Sequence, residues 1–118
     1  MHPRSADVLR IRIPSKDGVA LGPGKAALLD AILETGSISA AARRMGVSYR
    51  KAWLLVQQMN ESFLQPLVAS AKGGVRGGGA TVTPFGEDVL AWYRDMERNA
   101  WRALQPGLKH LSGLLRPG

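Results

Sequence analysis

Cysteine is absent from the 118 residues, and histidine occurs only twice, as His2 and His110. The first absence removes disulfides, thiolate metal sites and cysteine nucleophiles together, and it suits a reducing compartment such as the cytoplasm. The second leaves neither histidine with a nucleophile or metal-ligand set beside it. The carboxylates pair along the chain as Asp30 with Glu34 and Glu87 with Asp88, which read as solvated or helix-capping charges. An enzyme is therefore not expected, nor a metal or other cofactor. No apolar run approaches the roughly 18–20 residues of a membrane span. Met1 to Lys16 carries scattered charges where a secretory signal needs an apolar stretch, so no leader is expected. Acidic residues are the next shortage. Nine stand against sixteen Lys and Arg, for a formal charge of +7. The imbalance is local: residues 43–76 hold Arg43, Arg44, Arg50, Lys51, Lys72 and Arg76 against Glu61 alone, while both flanks are close to neutral. A focused basic block suits a polyanionic partner; the alternative is a basic, soluble surface without one.

What is present amounts to one domain with enough apolar residues, 45%, for a core. Val8, Leu9, Ile11 and Ile13 lie in a short segment with Arg10 and Arg12, strictly alternating from Leu9, which predicts a half-exposed strand ending at Pro14. Ser15 to Gly24 reads as turn and loop. Ala26, Leu28, Leu29, Ile32 and Leu33 recur at helical spacing, which predicts a helix from Pro23 to Thr35 closed by Gly36. Ser39 is placed to cap a short helix over Ala40 to Met45, and Ser48 to cap a second over Tyr49 to Ser62. Leu67 to Ala71 and Ala80 to Thr83 read as strands joined by the Gly-rich stretch 72–79. Thr83 then caps a long helix with Pro84 in its first position, Glu87 and Asp88 near its positive end, and Pro106-Gly107 as its stop. No internal repeat is evident.

Two helices joined by about three residues must cross closely, and small side chains allow it. Ala42, Gly46 and Ala52 fall where the backbones approach, and Met45, Val47, Leu55 and Val56 fill the seam. The pattern is a helix-turn-helix. With Ala52, Leu55, Val56 and Met59 inward, the second helix presents Tyr49, Arg50, Trp53, Gln57 and Asn60 outward. Such a helix would lie in a DNA major groove with its first residues nearest the base edges. Arg50 suits a guanine, Gln57 an adenine, and Ser48 or Tyr49 a phosphate or base edge; Trp53 would pack on a thymine methyl or sugar, or else belong to the core. Arg43 and Arg44 suit phosphates, which position without reading sequence. Lys72 and Arg76, on the Gly-rich tip, would reach the backbone or minor groove as a wing; an anion-binding nest is the other reading of that tip. A nucleotide-binding loop is not expected, because Gly-Lys-Ser/Thr is missing and no helix is expected directly after the glycines.

In the long helix, Phe85, Val89, Trp92, Tyr93, Met96, Ala100, Trp101 and Leu104 form a stripe too wide for a small domain to cover. This predicts a homodimer, the alternative being a monomer whose own first strand and helix cover it. The expected fold is thus mainly α: a winged helix-turn-helix with a short N-terminal strand, a β-hairpin wing and a long C-terminal dimerisation helix. Residues 1–105 form the domain, with 84–105 as the dimerisation helix, and 106–118 form a tail.

From Ala27 to about Arg98 the chain resembles the DNA-binding domain of the ModE-type molybdate-responsive regulators, relatives of the LysR-type winged helices. The resemblance rests on Gly36-Ser37-Ile38-Ser39, Gly46-Val47-Ser48-Tyr49-Arg50-Lys51-Ala52-Trp53, Met59-Asn60, the glycines at 73, 74 and 77–79, and Thr83-Pro84-Phe85-Gly86. It implies a dimeric bacterial regulator that grips operator DNA through Tyr49, Arg50, Lys51 and Trp53, joined through its long helix, in molybdenum-related gene control. ModE proteins also carry oxyanion-binding domains with a Ser-Ala-Arg-Asn-Gln-type motif. Nothing in these residues matches it, so the expectation is a stand-alone DNA-binding form, with any effector bound by a separate protein. A protein-interaction or RNA-binding module on the same fold is the alternative.

Overall fold

Short-range signals set most of the element order in this computed structural model, which describes residues 5–71 and 79–118. The chain opens with a single helical turn, α1 (Ser5–Val8). Two short strands follow, β1 (Ile13–Ser15) and β2 (Gly18–Leu21), paired antiparallel with Ile13 opposite Leu21 and Ser15 opposite Gly18. The expected strand, ending at Pro14, is therefore displaced toward the C-terminus, and the expected loop contains its partner. The cause is the Lys16-Asp17 turn into Gly18, whose φ of 148° only glycine adopts readily. Pro14, without an N–H, is tolerated because this pair forms a two-stranded sheet of its own. Residues 9–12, before it, belong to no regular element, and Ile11 together with Ile13 of β1 still packs against the core.

Three helices then make the body: α2 (Pro23–Thr35), α3 (Ile38–Met45) and α4 (Tyr49–Ser62). Pro23 opens α2, and Gly36 closes it as expected. The cap of α3 is Ser37, whose hydroxyl accepts the Ala40 N–H at 2.8 Å, in place of the expected Ser39. The helix consequently starts at Ile38, whose side chain is buried; a start at Ala40 would have left that isoleucine out of the packing. Gly46, at φ 70°, closes α3, and its neighbour Val47 donates back to the Ala42 carbonyl at 3.0 Å. Ala42 and Ala52 are buried at the crossing of α3 and α4, as small residues there require.

Beyond α4, β3 (Val68–Ala71) pairs antiparallel with β4 (Gly79–Val82). The expected wing-tip residues Lys72 and Arg76 lie outside the described residues. The sheet is stitched to the helix pair: Ala80 donates to the Gly36 carbonyl at 3.1 Å, and Ser37 bridges Gly79. The long helix is α5 (Pro84–Ser112). Thr83 caps it, accepting the Gly86 N–H at 2.9 Å and donating its hydroxyl to the Pro66 carbonyl at 2.7 Å. The helix passes through Pro106-Gly107 and ends seven residues beyond the expected stop at Gln105. Pro106 is exposed, so water can serve the Arg102 carbonyl that loses its donor, and Leu104, Leu108 and Leu111 continue at helical spacing. No helix among the described residues is long and apolar enough to cross a membrane.

The core joins Leu28, Leu29 and Ile32 of α2 to Val56 and Met59 of α4, Leu67 before β3, and Val89, Leu90 and Tyr93 of α5. Each such large aliphatic side chain contributes roughly 1.5–3 kcal/mol on burial. This corrects the expected dimer stripe. Tyr93 is 2% exposed and Val89 is buried, both inside this subunit, and Phe85 packs on the same core. The Tyr93 hydroxyl donates to the Ile11 carbonyl at 2.7 Å, and burial raises its phenol pKa above the ordinary value, so it stays a neutral donor. Arg94 links α5 to Asp30 of α2 and pairs with Glu97 at 2.7 Å. What the stripe leaves outside is Trp92, 64% exposed, with Met96 and Leu104.

Candidate nucleic-acid interface

The candidate surface is the outer face of α4. Ser48 caps the helix, accepting the Lys51 N–H at 3.0 Å. This removes one unsatisfied donor and fixes the first turn, on which Tyr49, Arg50 and Lys51 are all exposed. Ala52, Val56 and Met59 face the core. At about 100° per residue, the side opposite them is centred on Arg50, Leu54 and Gln57. Tyr49 and Trp53 lie on the flank nearer β3–β4. Their rings meet edge-to-face, with centroids 6.4 Å apart and planes at 90°. Trp53 is therefore an exposed flank residue and not a core one. It lines the hollow between α4 and the β3–β4 sheet with Asn60, Ser70 and Gly79.

Asn60 departs from the sequence reading. Its carboxamide oxygen accepts the N–H groups of Leu67 and Val68, at 2.8 and 3.2 Å, and its NH2 donates to the Val68 carbonyl at 3.0 Å. It serves as the clamp that holds α4 against the sheet, and its carboxamide is already engaged on both its oxygen and its NH2. Sequence reasoning also passed over Leu54, which is 44% exposed at the centre of the outer face. The periodicity that placed Ala52, Val56 and Met59 inward was the signal for it.

The first turn of α4 carries two cations unpaired among the described residues. Among the described residues the ion pairs join Arg44 to Glu34, Arg94 to Asp30 and Glu97, and Arg98 to Asp95. Arg43, Arg50 and Lys51 thus have no carboxylate partner there. Arg44, though exposed, is held by Glu34 of α2. Lys25 donates to the Val19 carbonyl. Partial burial, and secondarily the charge of Lys51, lower its ammonium pKa below the ordinary value. Arg50 and Lys51 at the N-terminal end of α4, with Arg43 on the neighbouring α3, therefore carry positive charge without a paired carboxylate among the described residues, as Arg10, Arg12, Lys16, Arg102, Lys109 and Arg116 also do elsewhere. On an outward-facing helix such charge suits an anionic backbone.

The comparisons agree with this geometry. The family described as bacterial regulatory helix-turn-helix protein, lysR family, matches residues 25–87. The molybdenum-pterin-binding protein MopB of Rhodobacter capsulatus is 45% identical over 97 residues, which cover 82% of this chain and 36% of that protein. The molybdenum transport protein ModE of Azotobacter vinelandii is 38% identical over 88 residues, covering 75% of this chain and 33% of its own. The chain thus spans about a third of the length of these relatives. The solved CbnR_DBD–DNA complex superposes with a TM-score of 0.59 at 20% identity, covering 75% of this chain and 95% of that one, which shows the fold. With the capped helix pair, the tight turn and the β-hairpin beside it, the chain belongs to the lysR family of bacterial regulatory helix-turn-helix proteins.

Proposed function

We propose that this chain is the DNA-binding part of a bacterial transcription regulator in molybdenum-related gene control, acting in the cytoplasm as a homodimer. The observation that carries the reading is the outer face of α4. Tyr49, Arg50, Lys51, Trp53 and Gln57 stand exposed on a helix whose opposite side is locked into the core, and its cations lack carboxylate partners among the described residues. In the major groove, Arg50 offers a fork for a guanine edge and Gln57 a donor–acceptor pair for adenine. Lys51, Arg43 and Tyr49 serve phosphates, with Arg44 the weaker candidate because Glu34 competes for it. Lys72 and Arg76, which fall between β3 and β4 in the sequence, would add to this basic set. The molybdenum link rests on the relatives, which are named for molybdenum–pterin binding and molybdenum transport. Binding is the activity, with no catalytic step.

The test is selection of bound duplexes from a random pool, followed by affinity measurements across salt. One motif should be enriched, and its affinity should fall by orders of magnitude between roughly 50 and 200 mM salt. Absence of any enriched motif, or salt-independent binding, would overturn the reading.

The dimer rests on the exposed part of α5. Trp92, Met96 and Leu104 are exposed, and the last turn and beyond add Leu111, Leu114 and Leu115. Two such helices packed together would present two copies of α4 to successive half-sites. Sedimentation velocity at micromolar concentration should show a dimer, and Trp92→Asp combined with Met96→Asp should give a folded monomer by circular dichroism. A wild-type monomer would be the contrary result.

A further inference from the structure

We propose that Leu54 is a specificity-determining residue of this surface: it seats against the C5 methyl of a thymine, one to two base pairs from the base read by Arg50. The inference rests on the DNA-binding reading above and adds a base identity to it. Leu54 is 44% exposed and points almost directly away from the buried residues Ala52, Val56 and Met59. An isolated exposed leucine would mean little. This one shares a hollow with Ser48, Arg50, Lys51, Trp53 and Gln57, and so stands among the polar groups suited to reading DNA.

Chemistry selects the partner. In the major groove every base edge offers hydrogen-bond donors or acceptors, and thymine alone adds a methyl group. A branched apolar side chain held between Arg50 and Gln57 gains by covering that methyl. Against the amino group of cytosine or adenine it would strip water and return no hydrogen bond. The spacing also fits. Along the helix axis Leu54 lies about 6 Å from Arg50 and about 4.5 Å from Gln57, at ~1.5 Å per residue. Steps along one DNA strand are about 3.4 Å. The three side chains therefore address neighbouring positions, with thymine in the middle.

The experiment takes the duplex enriched by the wild-type protein and replaces each thymine in turn with deoxyuridine, which removes only the methyl. Affinity is measured by fluorescence anisotropy for wild type and for Leu54→Ala. One thymine per half-site should respond, with binding weakened roughly fourfold per methyl lost, and the Leu54→Ala protein should no longer distinguish thymine from deoxyuridine there. Because Leu54 is exposed, the variant should keep its thermal unfolding midpoint and its preference for the base read by Arg50. An equal penalty in both proteins, or no penalty in either, would overturn the assignment while the DNA-binding reading stands. Failure of the wild type to enrich any motif would remove both.

Discussion

Replacing Gly86 with alanine is expected to destabilise the fold by roughly 2–5 kcal/mol, although helix propensity alone favours alanine by about 1 kcal/mol. Gly86 lies in the first turn of α5, and a Cβ there would meet the Leu67 carbonyl oxygen at 2.3 Å, Val82 Cγ1 at 2.9 Å and the Leu67 carbonyl carbon at 3.0 Å. The nearest obstacle is backbone, and that backbone is committed. The Leu67 carbonyl accepts the Thr83 N–H at 2.9 Å, while the Leu67 N–H donates to Asn60 at 2.8 Å. Relief requires the segment before β3 to retreat from α5, loosening both bonds and the buried Leu67 side chain. Overpacking of this kind costs about 1–3 kcal/mol, and each weakened hydrogen bond adds about 1 kcal/mol. Urea unfolding measures the sum, and it is large beside the roughly 5–15 kcal/mol that small domains possess. An unchanged or raised midpoint would mean that this segment steps back freely.

The same small region shows which features a sequence discloses. Caps and small-residue crossings are local, so Ser48, Thr83, Ala42, Gly46 and Ala52 could be read from spacing alone, and the helix-turn-helix with them. Features decided by distant partners could not. The stripe on α5 was visible, but which side faces inward depends on Ile11, whose carbonyl takes the Tyr93 hydroxyl from 82 positions away. Asn60 looked like one more polar residue on an outer face until the strand it clamps was folded beside it. Ser37 and Ser39 are chemically equal caps, and only the burial of Ile38 separates them. The end of α5 lies beyond Pro106-Gly107 for a related reason: a proline–glycine pair stops a helix by default, yet an exposed proline can be carried where water serves the orphaned carbonyl. On the candidate interface, the polar readers were evident by residue type. Leu54 is singled out by its position opposite Ala52, Val56 and Met59 and not by its residue type, because an apolar side chain does not advertise a place on a DNA-facing surface.

Arg50→Ala is expected to reduce affinity for the selected duplex by about 2–6 kcal/mol in the proposed dimer, since each bidentate arginine–guanine contact is worth roughly 1–3 kcal/mol and two half-sites would lose one each. Arg50 is exposed and has no carboxylate partner among the described residues, so stability should barely change and the loss belongs to binding. The decisive comparison is between bases. On a duplex with the paired guanine replaced, wild type should fall to the level of the variant, and Arg50→Ala should bind both duplexes alike. Lysine at this position should not restore the preference, because a single ammonium cannot span both guanine acceptors. Lys51→Ala, beside it, should behave differently, weakening binding to every duplex and lowering the salt slope by about one per subunit. A uniform loss across all duplexes in the Arg50 variant would place that guanidinium on a phosphate. Base reading would then pass to Gln57 and to the flank formed by Tyr49 and Trp53.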